Sequence, residues 1–241
     1  MGSRPREALA RVYRAFEVHR APSRWDAAPG RDAVGILRTL TSVPLLDLTA
    51  DQLGPYAGWA LTTVGDAEAY LHFLPRILEL AACDMGYLGF DPAVIAGKLL
   101  RCAWTDWPPE RCNVVANVFE AVAFAAIEVP PEEEQTAPQW LCGMLILKRP
   151  VAKLLAAWRQ SPTADAALQL AAFVGMDLDA LGAADRDARF WANVDAASRR
   201  DLQTWLASPA TSEQLQAARV APRDHWQIDN ALKRLRAAQT N

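Results

Sequence analysis

This 241-residue chain is short of the groups that most enzymes rely on. It has three histidines, His19, His72 and His225, which limits the commonest general base. The nucleophile elbow GxSxG, the phosphate-binding P-loop, the dinucleotide fingerprint GxGxxG and the zinc-binding HExxH are all missing. Its four cysteines, Cys83, Cys102, Cys112 and Cys142, contain no CxxC pair and no zinc-like spacing to a histidine. The expectation is a reduced, cytoplasmic protein without metal or cofactor, long enough to build a core without disulfides.

Long apolar runs are missing as well. The most apolar stretch, 114–129, falls short of the ~20 residues a membrane helix needs and carries Glu120 and Glu128. The arginine-dense amino end, MGSRPREALARVYR, lacks the apolar region of an export signal. There is no Asn-Gly or Asp-Gly hairpin and no alternating run bounded by turns, so the chain reads as all-α.

What is present is an ordinary globular composition, 51% hydrophobic and 22% charged, so the chain is expected to fold. The net charge of −3 is unevenly spread. Residues 1–45 hold eight arginines against four acids, and 219–241 hold five basic groups against two, which leaves −10 on residues 46–218. Such a balance repels nucleic acid and suits a basic protein partner, although acids in the first turns of helices give the same count.

Helix signals recur along the chain. Leu9, Val12, Tyr13, Phe16 and His19 share one face of a helix over 6–20, followed by a Pro/Gly-rich loop over 21–35. Thr49 with Gln52 forms a capping box for a helix running past Trp59 toward Gly65. Gly65-Asp66 stops that helix and starts the next, and Asp91-Pro92 and Pro108-Pro109 start two more. Pro75, inside YLHFLPRILEL, predicts a kink or restart, because it lacks an N–H for Leu71 and crowds that carbonyl. The acidic, Pro-rich segment 130–138 reads as a linker between possible sub-lobes 1–129 and 139–241 of one helical domain.

An internal match appears at an offset of 47. From Leu155 to Ala171, seven of seventeen positions are identical to their counterparts, including Trp158 with Trp205, Ser161-Pro162 with Ser208-Pro209, and Leu168-Gln169 with Leu215-Gln216. In both copies serine stands where a helix N-cap belongs and proline at the first helical position. Antiparallel helix pairs at this period suit HEAT-type arrays, though any all-α protein reuses the same caps. FLPRILELAACD followed by DPAVIAGKLL resembles a HEAT unit, which implies an irregular array of antiparallel helix pairs.

Glu68, His72 and Arg76 fall at i, i+4, i+8 on the Asp66-capped helix, with Glu79 a further i+3 along. A carboxylate beside an imidazole can poise it for proton transfer, yet no nucleophile or metal ligand completes a mechanism, and an exposed, ion-paired helix face is the preferred reading. The candidate partner-binding residues are these four together with Trp104, Trp107 and the run Glu132, Glu133, Glu134. Residues 59–82, WALTTVGDAEAYLHFLPRILELAA, resemble a recurring segment of uncharacterised soluble bacterial proteins. That resemblance implies a non-enzymatic, protein-binding role such as an immunity protein that occludes a toxin. A helical enzyme using the Glu68, His72, Arg76 face and a structural scaffold are the alternatives.

Overall fold

The computed structural model describes residues 2–83, 86–131, 136–184 and 188–238, and among them the chain forms twelve α-helices, several 3-10 turns and no strand. It divides into two compact units, Met1–Val122 and Ala123–Asn241. The division falls within a helix, not at the Pro-rich segment 130–138 where the sub-lobes were expected to part.

The first unit contains α1 (Ser3–Phe16), α2 (Ala33–Leu40), α3 (Ala50–Trp59), α4 (Ala67–Ala81), α5 (Pro92–Arg101) and most of α6 (Pro109–Ala126). Most starts are those the caps announce. Thr49 and Gln52 cap α3 reciprocally, and the carboxylates of Asp66 and Asp91 accept from Ala69 N–H and Ala93 N–H. α2 is an element the sequence reading passes over; Asp32, inside the expected loop, caps it by accepting from Gly35 N–H at 2.8 Å.

Two boundaries differ from expectation. α1 ends at Phe16, so His19 lies past its end, its N–H donating to Phe16 O. α3 ends at Trp59; Leu61 has a φ of 63° and Gly65 one of 68°, and the 60–65 connection pairs with 26–28 through Ala28 N–H to Thr63 O and Gly65 N–H to Asp26 O. α4 does not restart at Pro75. The helix runs through it, with Tyr70, Phe73, Leu74, Ile77 and Leu78 fully buried around the proline. Packing of that face offsets the missing amide.

α3 lies against the 3-10 turn Leu88–Phe90 so closely that a Cβ at Gly89 would stand 2.3 Å from the Ala57 backbone, and one at Gly54 2.3 Å from the Tyr87 ring. Lys98 of α5 secures the end of α3. It is 4% exposed, and its ammonium donates to Gly58 O at 3.0 Å and Ala60 O at 2.6 Å. These are carbonyls at a helix C-terminus, where a cation is electrostatically favoured.

The second unit contains the end of α6, α7 (Ala137–Ile146), α8 (Ala152–Gln160), α9 (Ala164–Gly182), α10 (Ala196–Leu206), α11 (Pro209–Ala217) and α12 (His225–Ala238). Lys148, at a φ of 55°, turns the chain between α7 and α8. Gln169, fully buried on α9, donates to Val129 O and accepts from Ala137 N–H, fixing the start of α7. The two matching segments are both helical hairpins, α8–α9 and α10–α11, but their turns differ. Ser208 precedes α11 with Pro209 at its first position, whereas α9 is capped by Thr163, which accepts from Ala166 N–H, and Pro162 lies outside the helix. The paired tryptophans meet in space: Trp158 and Trp205 rings are 6.1 Å apart, and Arg159 lies over Trp205 while donating to Trp205 O, Ser208 and Thr211. α9 packs against α10, α11 and α12 alike. A solenoid stacks each hairpin only on its neighbours, and the α9–α12 packing skips one.

Burial pushes the Lys98 ammonium down from its ordinary 10.5 to about 8, with Arg101 adding to the effect and Cys102 opposing it. The folded value lies below the unfolded one, so the unfolded chain binds more protons between them, and the stability contributed by Lys98 rises with pH across that window. Burial acts oppositely on Tyr56, Tyr70 and Cys102, whose values are raised, so their contribution is lost as pH climbs past their ordinary values. Comparison with Lys98→Met isolates the lysine. Chemical denaturation is expected to show wild type gaining about 1 to 3 kcal/mol relative to the variant between pH 8 and 10; a constant gap would refute the assignment.

Candidate functional site

The polar row on α4 is held at a seam within the first unit and is not an outer face. Arg76 Nε donates to Leu48 O at 2.8 Å, its Nη1 to Glu79 at 2.6 Å, and Tyr13 of α1 donates its hydroxyl to the same Glu79 carboxylate at 2.5 Å. Burial first, and the Glu79 carboxylate second, hold the Tyr13 hydroxyl well above its usual range. His72 Nδ1 meets His19 O at 2.9 Å. Of the four residues expected outside, His72, Arg76 and Glu79 are half-buried and only Glu68 is exposed. The reason is tertiary: α1 and the 3-10 turn Leu45–Asp47 cover the stripe and present carbonyls and a phenol to it.

Glu68 does not pair with His72. Its carboxylate lies 2.8 Å from His19 Nδ1, and the His19 side chain is 9% exposed. The opposite ring nitrogen, Nε2, faces the guanidinium of Arg111, which can only donate. His19 therefore carries its proton on Nδ1, giving it to Glu68 and accepting from Arg111 on Nε2. Arg111 is gripped between two rings, its guanidinium carbon 4.6 Å from the centroids of both Phe16 and Trp107. Burial lowers its affinity for the proton from the ordinary arginine value.

Of the two tryptophans expected as anchors, Trp104 is 5% exposed and belongs to the core, while Trp107 is half-buried and donates its indole N–H to Cys102 O at 2.8 Å. Neither is a free surface anchor. Glu132, Glu133 and Glu134 lie outside the described residues. Trp226, on α12, is the exposed tryptophan at 65%.

Between the end of α1, the 44–46 turn and the middle of α4 lies a cavity of about 260 Å³. Tyr13, Phe16 and Pro75 form its walls, Leu45 and Leu46 its lip, and His72 and Glu17 its polar edge. The lip is uncovered: Leu46 is 60% exposed, and Val18, next to the lining residues Glu17 and His19, is 74% exposed. Sequence reasoning missed this groove because Pro44-Leu45-Leu46 carries no periodic signal, and its packing against α4 is a tertiary contact.

Proton transfer between Glu68 and His72 has no geometry here, since each engages a different group of His19. Among the described residues no three His, Cys, Asp or Glu side chains gather as a metal site. Among them, too, no helix is long and apolar enough to cross a membrane. What the groove offers is an open apolar surface with hydrogen-bond acceptors at its edge.

Arg76→Met strips Leu48 O of its donor and leaves Glu79 with a buried imbalance, so urea unfolding is expected to show a loss of about 2 to 3 kcal/mol. Arg4→Met, which breaks an exposed pair with Glu120, serves as the control and is expected to cost under about 1 kcal/mol. Equal losses from the two variants would contradict the seam.

No protein-family model matches the chain, and neither a curated protein nor a solved structure matches it. The geometry of the groove is therefore the ground on which function rests.

Proposed function

We propose that the chain is a non-enzymatic protein-binding protein that receives its partner on the groove of the first unit. The observation that carries this is a formed apolar cavity whose lining residue Leu46 is left 60% exposed, with Val18, which lies in sequence between the lining residues Glu17 and His19, 74% exposed. A lone exposed leucine needs no explanation, but apolar side chains left in water beside such a cavity extend it into one contact surface. The polar edge then supplies direction, as polar groups do in binding sites of this kind.

In its finer form the partner is a basic protein, such as a toxin domain that this chain occludes as an immunity protein. The −10 balance of residues 46–218 supports a basic partner, and the resemblance of residues 59–82 supports the immunity role. Action in the cytoplasm is part of the same proposal, supported by four cysteines of which none forms a disulfide among the described residues.

Affinity capture of the tagged chain from cells that express it natively, quantified by mass spectrometry, tests the reading. Wild type is expected to retain a stoichiometric protein, and Val18→Glu with Leu46→Glu to lose at least about 90% of it, since a charge forced against an apolar contact costs more than 1.4 kcal/mol. The melting temperature of that variant is expected to match wild type, because both positions are exposed. Undiminished capture by the variant, or no captured partner at all, counts against the proposal.

A further inference from the structure

Resting on that reading, we infer that the groove receives an arginine side chain of the partner. The argument starts from a tautomer. His72 Nδ1 stands 2.9 Å from His19 O, and a carbonyl only accepts, so Nδ1 carries the proton and Nε2 of the neutral ring is a bare acceptor. His72 borders the cavity, and among the described residues no side chain donates to that nitrogen.

The other polar side chains of the lining are spent or acidic. Tyr13 gives its hydroxyl proton to Glu79, and both ring nitrogens of His19 are engaged, one by Glu68 and one by Arg111. Glu17 brings an exposed carboxylate, and no lysine or arginine lines the cavity. The lining side chains therefore offer acceptors and negative charge, with no free donor and no cation to balance them. The complementary occupant is a donor-rich cation with an apolar body.

Arginine fits that description better than the alternatives. Its guanidinium is planar, weakly hydrated and able to lie on an aromatic face such as that of the half-buried Tyr13, while its several N–H groups reach two acceptors at once. A lysine ammonium is compact and strongly hydrated, and has no face to lay on these walls. A tyrosine or tryptophan would serve His72 Nε2 and leave Glu17 unbalanced. The first unit already contains this recognition once. Arg111 lies against Phe16 and Trp107 and donates to a bare imidazole nitrogen, that of His19. The groove presents the same chemistry, an aromatic wall and an unprotonated imidazole nitrogen, with the arginine left to come from outside.

Two short probes test this, the peptide Ac-Leu-Arg-Leu-NH2 and its counterpart with citrulline, which keeps the shape and loses the charge. Each is titrated at low salt into the full chain labelled with 15N-histidine, and the His72 ring nitrogens are followed by NMR. The arginine peptide is expected to bind about tenfold more tightly than the citrulline peptide and to move the His72 Nε2 resonance at saturation. Glu17→Gln, an exposed change that leaves the fold intact, is expected to bring the arginine peptide down to the citrulline level without altering citrulline binding. Equal affinities, a stationary Nε2 resonance, or no binding by either peptide overturns the inference. The two ideas fail separately: the absence of a captured protein sinks the partner-binding reading, whereas equal peptide affinities sink the arginine preference and leave a captured partner in place.

Discussion

The first unit is organised by what Arg76 does at the centre of α4. Its guanidinium holds the Leu48 carbonyl with one nitrogen and the Glu79 carboxylate with another, and Glu79 in turn accepts the Tyr13 hydroxyl. One side chain thereby pins the 44–48 segment and α1 to the same helix. The groove is the space left between those three pieces, so its shape follows from a charged network and not from apolar packing alone. Such a network is costly to bury unless every member is satisfied, and here each of these contacts joins a donor to an acceptor. A frame of this kind holds the groove open by itself, so that binding there would carry no cost of ordering it.

Lys98 plays a comparable part at α3, at greater expense. Its ammonium is withdrawn from water with no carboxylate paired to it among the described residues, and is compensated by two carbonyls and the face of Tyr70 at 5.8 Å. The lowered proton affinity of Lys98 follows from that burial, with Arg101 adding to it. In return the end of α3 is held where the chain reverses through Leu61 and pairs with residues 26–28.

How much of this was legible in the sequence depended on whether the signal was local. Asp66, Asp91 and the Thr49–Gln52 box marked helix starts because a cap and the amides it serves lie within a few residues of each other. Thr163 against Ser161 shows the limit of the same rule, for both can cap and only the packing of α9 decides between them. The helical spacing of Glu68, His72, Arg76 and Glu79 was correct, but their meaning was not readable. Whether a polar stripe faces water or a neighbour turns on partners as remote as the Leu48 and His19 carbonyls and the Tyr13 phenol. Pro75 does not restart the helix for the same reason, since the face that holds the helix together around it is made by tertiary contact. The −10 balance was countable from the sequence, whereas the acceptor-only lining of the groove needed the His72 tautomer, and so needed the fold.

One trait recurs in both units: beside the side-chain pairs, many polar ties end on main-chain carbonyls. Arg76 reaches Leu48 O, His72 reaches His19 O, Trp25 reaches Ala33 O, and Lys98 reaches Gly58 and Ala60 O. In the second unit Trp158 reaches Ala166 O, Gln203 Leu178 O and Gln214 Trp158 O. A carbonyl is supplied by any residue, so each tie constrains its donor and is indifferent to the side chain at its acceptor. Mutational tolerance in this chain is accordingly lopsided. Drift at the accepting positions leaves the ties intact as long as the new side chain packs, and descendants of this sequence can diverge widely there while the few donors stay put.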